Sequence, residues 1–181
     1  MAIEIEKKYR LTLQQSEQIV VNLQEFGAEF QGEDFETNTL YGGGILDEKL
    51  AVLRIRKTQN KTILTYKQRI QNSSEIKHQI EHETNVEREE EIEKIIENLG
   101  FVKAVIYEKR RKTWSFRNVE VVLDELPFGL FMEIEGSIQD ITEAEMLLDA
   151  EDFKVELETY PRLTMNQGIQ NGQIIEAKFI G

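Results

Sequence analysis

Charges of one sign recur in pairs two residues apart along this chain, most of them in segments that alternate with apolar residues: Glu4 and Glu6, Arg54 and Arg56, Glu81 and Glu83, Lys109 and Arg111, Glu133 and Glu135. Side chains two apart in a strand share a face. The alternation therefore predicts strands over 2–10, 50–57, 61–69, 76–86, 104–117, 119–125 and 129–136, each with a charged face and a largely apolar one. Arg54 and Arg56 stand against Leu53 and Ile55, and Thr65 and Lys67 against Leu64 and Tyr66. Lys109 and Arg111 share a face with Tyr107 and Thr113, Asp124 sits in a short apolar strand, and Glu133 and Glu135 alternate with Leu130, Met132 and Ile134.

Helical spacing interrupts this pattern in three places. Thr12-Leu13-Gln14-Gln15 reads as a capping box before Ile19, Val20, Leu23 and Phe26, with Gly27 beyond. A second helix runs from about Glu87 to Leu99 and ends at Gly100, and a third begins near Thr142-Glu143-Ala144-Glu145. Asn171-Gly172 predicts a hairpin turn between two short edge strands within 168–180. Gln71-Asn72-Ser73-Ser74 and Gly42-Gly43-Gly44 read as loops, since no GK[ST] and no helix start follow the glycines.

With 181 residues, 40% of them hydrophobic, and no linker composition, the expectation is a single domain spanning 1–181. No apolar run approaches the roughly 18 residues of a membrane span, and Ile3-Glu4-Ile5-Glu6 is not a secretory leader, so the expected setting is cytoplasmic, without a membrane. The absence of cysteine excludes disulfides, thiolate metal sites and a cysteine nucleophile. A formal charge of -12 opposes extended contact with nucleic acid, so an anionic ligand needs a local basic cluster.

Charged faces turned to water would explain each strand taken singly. Sorting by sign within a strand is not something solubility asks for, because like charges two residues apart repel unless a counter-ion lies between them. Paired carboxylates suit a hard cation, and paired Arg and Lys suit phosphate. Residue pattern alone leaves both readings open.

The order of the motifs narrows the choice. Glu4-x-Glu6-x-Lys8 resembles the ExExK signature of the CYTH superfamily, the triphosphate tunnel metalloenzymes. Arg54-Ile55-Arg56 is similar to that family's RxR strand, Thr65-Tyr66-Lys67 to its TxK strand, and Glu81-His82-Glu83 to its central ExE. Lys109-Arg110-Arg111 is similar to its KxR strand, and Asp124 through Gly129 with Glu133-Ile134-Glu135 to its closing acidic strands. The resemblance covers Glu4 to about Leu163, in family order, and departs at Gln79, where members often carry arginine.

The resemblance implies an α+β fold: a closed eight-stranded antiparallel β-barrel with helices packed on its exterior and the sorted charges turned into a tunnel. It implies a metal set of Glu4, Glu6, Asp124, Glu133 and Glu135 holding Mg2+ or Mn2+. The phosphate clamp would be Lys8, Arg54, Arg56, Lys67, Lys109 and Arg111, and the catalytic set Glu4, Glu6, Lys8, Glu81 and Glu83. The expected activity is metal-dependent hydrolysis of a triphosphate, most simply inorganic tripolyphosphate. A class IV-type adenylate cyclase on a nucleoside triphosphate is the alternative, and a catalytically silent polyphosphate or nucleotide binder the third; the oligomeric expectation is a monomer or homodimer. His78 and His82 fall on the strand face opposite Glu81 and Glu83 and read as packing or outward residues. Trp114 and Phe116 read as packing under a helix, and the acidic run Glu87 to Glu91 as the favoured start of a helix.

Overall fold

Alternating side-chain direction, which lets one strand show charge on one side and hydrocarbon on the other, organises the whole structure. The computed structural model describes residues 2–70 and 77–180, and of residues 2–4, 69 and 77–79 the backbone alone. Its elements are β1 (Ala2–Leu11), α1 (Leu13–Glu25), β2 (Glu29–Gly42), α2 (Ile45–Glu48), β3 (Ala51–Lys57), β4 (Thr62–Ile70), β5 (Lys77–Val86) and α3 (Glu89–Asn98). These are followed by β6 (Val102–Phe116), β7 (Val119–Leu126), β8 (Gly129–Glu135), α4 (Ile138–Leu147), α5 (Tyr160–Gln167), β9 (Ile169–Asn171) and β10 (Ile174–Ala177).

The strands form one sheet in the order β2-β3-β4-β5-β1-β8-β7-β6-β10-β9, and β2 pairs with β6 as well, from Glu29 opposite Ser115 to Gly42 opposite Val102. The pairings are antiparallel except that of β10 with β6. The fold is thus α+β and mostly antiparallel sheet.

Helices cover the apolar parity. Ile19 and Leu23 of α1, with Ile141 and Ala144 of α4 and Leu148 beyond it, pack on Tyr9, Trp114, Val121, Met132 and Ile134. On the neighbouring strands Ile96 of α3, with Ile92, covers Tyr41, Ile55 and Leu64. Trp114 and Phe116 lie buried in the first of these clusters, as their parity predicts. A third cluster is different in kind: Leu40, Tyr107, Leu126 and Phe131 lie on the charged parity and receive Tyr160 and Leu163 of α5.

Several boundaries differ from the sequence reading. The described residues carry ten strands rather than eight, because the predicted hairpin at Asn171-Gly172, with Gly172 at φ 63, attaches to β6 as β10 and β9. β2 was not expected, since Gly32 and bulges at Phe30/Gly32 and Leu40/Tyr41 break its period. The α4 start is Ile138 rather than Thr142: Ser137 offers an earlier cap, accepting from the Asp140 backbone N–H, and the Thr142 hydroxyl donates to the Ile138 carbonyl inside the helix. A four-residue helix, α2, does follow the three glycines. The 71–74 loop expectation lies outside the described residues.

The α1 capping box forms as expected, with the Gln15 N–H donating to Thr12 Oγ1 at 3.2 Å and the Thr12 N–H to Gln15 Oε1 at 2.8 Å. Ile134, fully buried between sheet and helices, makes a larger contribution. Urea unfolding followed by circular dichroism should show Ile134→Ala losing about 2–5 kcal/mol and Thr12→Ala only about 1 kcal/mol. Equal losses would mean that the helix-covered face is not the principal core.

Candidate functional site

The charged parity of the strands lines a cavity of about 770 Å³. Four strands supply six of its cations, Lys8 from β1, Arg54 and Arg56 from β3, Lys67 from β4, Lys109 and Arg111 from β6, and α5 adds Arg162. Glu6, Glu120, Glu133 and Glu135 line the same space. Cations of different strands, 11 to more than 100 positions apart in sequence, are gathered because each sits on the same parity of its own strand.

Each strand cation has a carboxylate within reach. On β6, Arg111 makes a bidentate pair with Asp124, Nε to Oδ1 at 2.7 Å and Nη2 to Oδ2 at 2.6 Å, and Nη2 also reaches Glu133 Oε2 at 2.6 Å. Register explains the first pair, since Arg111 and Asp124 are cross-strand partners. Burial opposes the Arg111 charge, but Asp124 and Glu133 outweigh it and raise its pKa. Lys8 Nζ lies 3.2 Å from Glu133 Oε1, donates to the Glu158 carbonyl at 3.2 Å and stands 3.9 Å from the centroid of the Tyr160 ring. The Tyr160 hydroxyl donates to Asp124 Oδ2 at 2.7 Å, so α5 braces both Lys8 and the Arg111 pair. Burial and then Asp124 hold the Tyr160 phenol protonated well past its ordinary range.

On the opposite wall, Arg54 Nη2 donates to Thr65 Oγ1 at 3.2 Å and lies 3.8 Å from Glu81 and 3.7 Å from Glu83. The Thr65 hydroxyl donates to Glu83 at 3.0 Å, and Lys67 Nζ lies 3.1 Å from Glu81. Between the walls stands Glu36 of β2, 3% exposed, with Oε2 at 3.4 Å from Lys109 Nζ and 3.5 Å from Arg56 Nε, and with the Asn38 amide donating to it at 3.2 Å. Burial alone would raise the Glu36 carboxyl, but Lys109, Arg56 and Arg111 hold it well below the usual carboxylate range. Among the described residues, the Nε atoms of Arg54 and Arg56 are buried without a hydrogen bond, Arg56 Nε having only its longer ion pair with Glu36, so both could donate to an anion.

The carboxylates gather too. Glu135 is the cross-strand partner of both Glu6 and Glu120, a row of three across β1, β8 and β7. Burial, then Glu120, with Glu6 and Glu81 behind it, raises the Glu135 pKa. A carboxyl pushed up by neighbouring carboxylates sits in a donor set that a hard cation would relieve. The described residues taken alone contain no group of three or more His, Asp or Glu close enough to hold an ion. The side chain of Glu4 lies outside them, as do those of Gln79 and His78. His82 is exposed beside the Tyr66 ring.

Of the residues read from sequence, Glu6, Lys8, Arg54, Arg56, Lys67, Lys109, Arg111, Glu133 and Glu135 line the cavity together. Glu81, Glu83 and Asp124 stand behind the cations and pair with them. Sequence reasoning missed Glu36, Glu120 and Tyr160. Glu36 belonged to an unassigned strand, although Glu36, Asn38 and Leu40 do alternate there. Glu120 shares the parity of Asp124. Tyr160 follows Thr159, whose hydroxyl accepts from the Arg162 N–H, and precedes Pro161, together the start signal of a short helix.

An antiparallel sheet whose sorted charges converge on one cavity defines a class of anion- and cation-binding β-proteins. The CYTH domain family matches residues 2–162, and the chain belongs to that family. A Methanocaldococcus jannaschii protein, provisionally named an adenylate cyclase, is 28% identical over 149 residues, 80% of this chain and 84% of its own. The PH1012 protein of Pyrococcus horikoshii OT3 superposes with a TM-score of 0.77 at 25% identity, over 88% of this chain and 98% of its own. The Hippeastrum protein HpAC1, provisionally an adenylyl cyclase and described as revealing a dominant triphosphatase activity, superposes with a TM-score of 0.67 at 17% identity, over 96% and 99%.

Lys109 gives the cavity a pH dependence. Burial and then Arg111 push its ammonium down to about 8 from an ordinary 10.5. Between these values the unfolded chain holds more protons than the folded one, so this group adds stability as pH rises from about 8 to 10.5 and withdraws it as pH falls through about 8. Anion binding should follow the opposite trend: calorimetry with tripolyphosphate should show affinity falling above pH 8, and Lys109→Arg, which stays charged, should flatten that fall. An unchanged profile in the variant would assign the titration to another group.

Proposed function

We propose that this chain is a divalent-metal-dependent phosphohydrolase acting on a triphosphate, inorganic tripolyphosphate being the simplest such substrate. The observation that carries the reading is the convergence of six cations from four strands on one cavity that also holds a carboxylate row. We read the eight strands β1 to β8 as a barrel closed around that cavity, because β2 pairs with β6 as well as β3, and 1–181 as one domain. The triphosphatase activity described for the Hippeastrum relative supports the same choice.

Phosphoryl transfer asks mainly for positioning and charge neutralisation, and no side-chain nucleophile is required. Lys8, Arg54, Arg56, Lys67, Lys109 and Arg111 hold the phosphate oxygens, and the buried guanidiniums take up charge as the bridging oxygen departs. Glu81 and Glu83 hold Arg54 and Lys67 in place and orient the attacking water in line. Mg2+ or Mn2+ held by Glu6, Glu133 and Glu135, with Glu4 completing the set, would polarise the phosphate and lower the pKa of bound water. Asp124 and Glu133 would join the metal only by giving up cation partners, since Arg111 and Tyr160 occupy the oxygens of Asp124, and Lys8 and Arg111 those of Glu133.

The name of the Methanocaldococcus relative favours a second reading, cyclisation of a nucleoside triphosphate. That reaction needs the same clamp plus a ribose hydroxyl held at the α-phosphorus, a stricter geometry than admitting water to the terminal phosphate. With Mg2+ or Mn2+, phosphate release from tripolyphosphate should exceed cyclic AMP formation from ATP. Dominant cyclic AMP and pyrophosphate would make the second reading correct, and no product from either would favour a silent binder.

Activity should disappear in excess chelator. Glu6→Gln should lower turnover about 100-fold or more, by the usual cost of losing a group that supports transition-state charge, while the circular dichroism spectrum stays native. Undiminished turnover in chelator would refute the metal-dependent mechanism.

A further inference from the structure

The cations of the cavity are not held alike. Arg111 is locked, with contacts of 2.7 and 2.6 Å to Asp124 and 2.6 Å to Glu133. Arg56 and Lys109 are held loosely: Glu36 Oε2 lies 3.5 Å from Arg56 Nε and 3.4 Å from Lys109 Nζ, and Lys109 meets Asp124 Oδ2 at 3.5 Å. Charge-assisted hydrogen bonds close to about 2.7–2.9 Å, so these are ion pairs stretched past their optimum, with one carboxylate oxygen serving two cations.

Register puts Glu36 there. It is the cross-strand partner of Lys109 on β6, and two residues on, Asn38 is the partner of Arg56 on β3. Glu36 does not itself border the cavity, whereas Arg56 and Lys109 do, so it meets its cations from behind. Surrounded by positive charge, it stands apart from the carboxylate row that suits a metal. Burial opposes its ionisation, but Lys109, Arg56 and Arg111 outweigh burial, so the charge does not switch off near neutral pH. Asn38 adds an independent observation. Wholly buried, it donates its amide to Glu36 at 3.2 Å while its Oδ1 is left without a hydrogen bond. A buried acceptor left unpaired costs free energy, and turning the amide over would aim that oxygen at the carboxylate, so the Glu36 charge sets the orientation of Asn38.

We propose that Glu36 is a built-in counter-anion of the phosphate clamp: it holds Arg56 and Lys109 while the cavity is empty, yields them to phosphate oxygens, and reclaims them as products leave. This rests on the triphosphate reading of the cavity. A clamp strong enough to seize tripolyphosphate also retains pyrophosphate, which is still strongly anionic. A fixed anion behind two of the cations weakens the grip on both and speeds release. Glu36 touches no reacting atom; it is a positioning residue that acts through Arg56 and Lys109.

The test compares Glu36→Gln, which keeps the shape and an acceptor for Asn38 but removes the charge, with the unaltered chain. Calorimetry uses the bis-methylene analogue of tripolyphosphate with Mg2+, which cannot hydrolyse. The variant should bind it about ten-fold more tightly, the order expected when one unit charge a few ångströms from the shared donors is removed. With tripolyphosphate itself KM and kcat should fall together, and pyrophosphate should inhibit more strongly, because release has slowed. A purely structural brace gives the opposite sign, since Arg56 and Lys109 would loosen and the analogue would bind more weakly. If the variant is unfolded on its own, the analogue with Mg2+ should restore the native circular dichroism spectrum, because phosphate supplies the missing counter-charge; a chain that stays unfolded overturns the proposal. Weaker or unchanged binding by the variant, or an unchanged kcat, overturns the role of Glu36 while leaving the triphosphate reading intact. Failure of the unaltered chain to bind the analogue overturns both.

Discussion

Ion pairing across strands is the interaction on which the rest of this structure depends. Six basic side chains of the strands face one cavity, Lys8 and Lys109 almost wholly buried, and a buried charge left alone costs several kcal/mol. Lys8 has Glu133, Arg54 has Glu81 and Glu83, Arg56 and Lys109 share Glu36, Lys67 has Glu81, and Arg111 has Asp124 and Glu133. These carboxylates arrive from other strands, so the charges hold together only when the register is right. Moving one strand by a single residue would turn its charges into the helix-packed face and its leucines into the cavity.

That requirement places the hydrophobic core outside the sheet. The apolar parity is covered by α1, α3 and α4, and it is this face that supplies the burial needed to offset chain entropy. The charged parity is then available for a ligand. At α5 hydrocarbon enters the inner side, where Tyr160 and Leu163 seat on Tyr107, Leu126 and Phe131. Tyr160 serves both environments, since its ring packs with Phe131 and faces Lys8 while its hydroxyl reaches Asp124.

Glu36 shows why a carboxylate inside a basic cluster is compatible with anion binding. It keeps Arg56 and Lys109 ordered in the absence of a ligand, at the expense of competing with a phosphate for the same donors. Pre-organisation of this kind reduces the side-chain ordering that binding would otherwise require. Membership of the CYTH family accounts for the shared architecture.

Parity carried most of the site: a charge two residues from another charge in a strand can only share its face, so Arg54, Arg56, Lys109, Arg111, Glu133 and Glu135 were readable one strand at a time. Local chemistry likewise specified α1 through Thr12 and Gln15, and the edge hairpin through Asn171-Gly172. What one strand cannot state is which partner it meets. The bidentate use of Asp124 by Arg111 depends on the β6–β7 register, the sharing of Glu36 on β2 pairing with β6, and the bracing of Lys8 on the Glu158 carbonyl 150 residues away, just ahead of α5. β2 itself was hidden because bulges break its period, and α5 because eight residues are too few for a clear helical face. The sequence determined which side chains share a face, because that follows from backbone stereochemistry within a strand. Only the tertiary structure decided which charges neutralise one another, because Coulomb energy depends on distances that chain order does not contain.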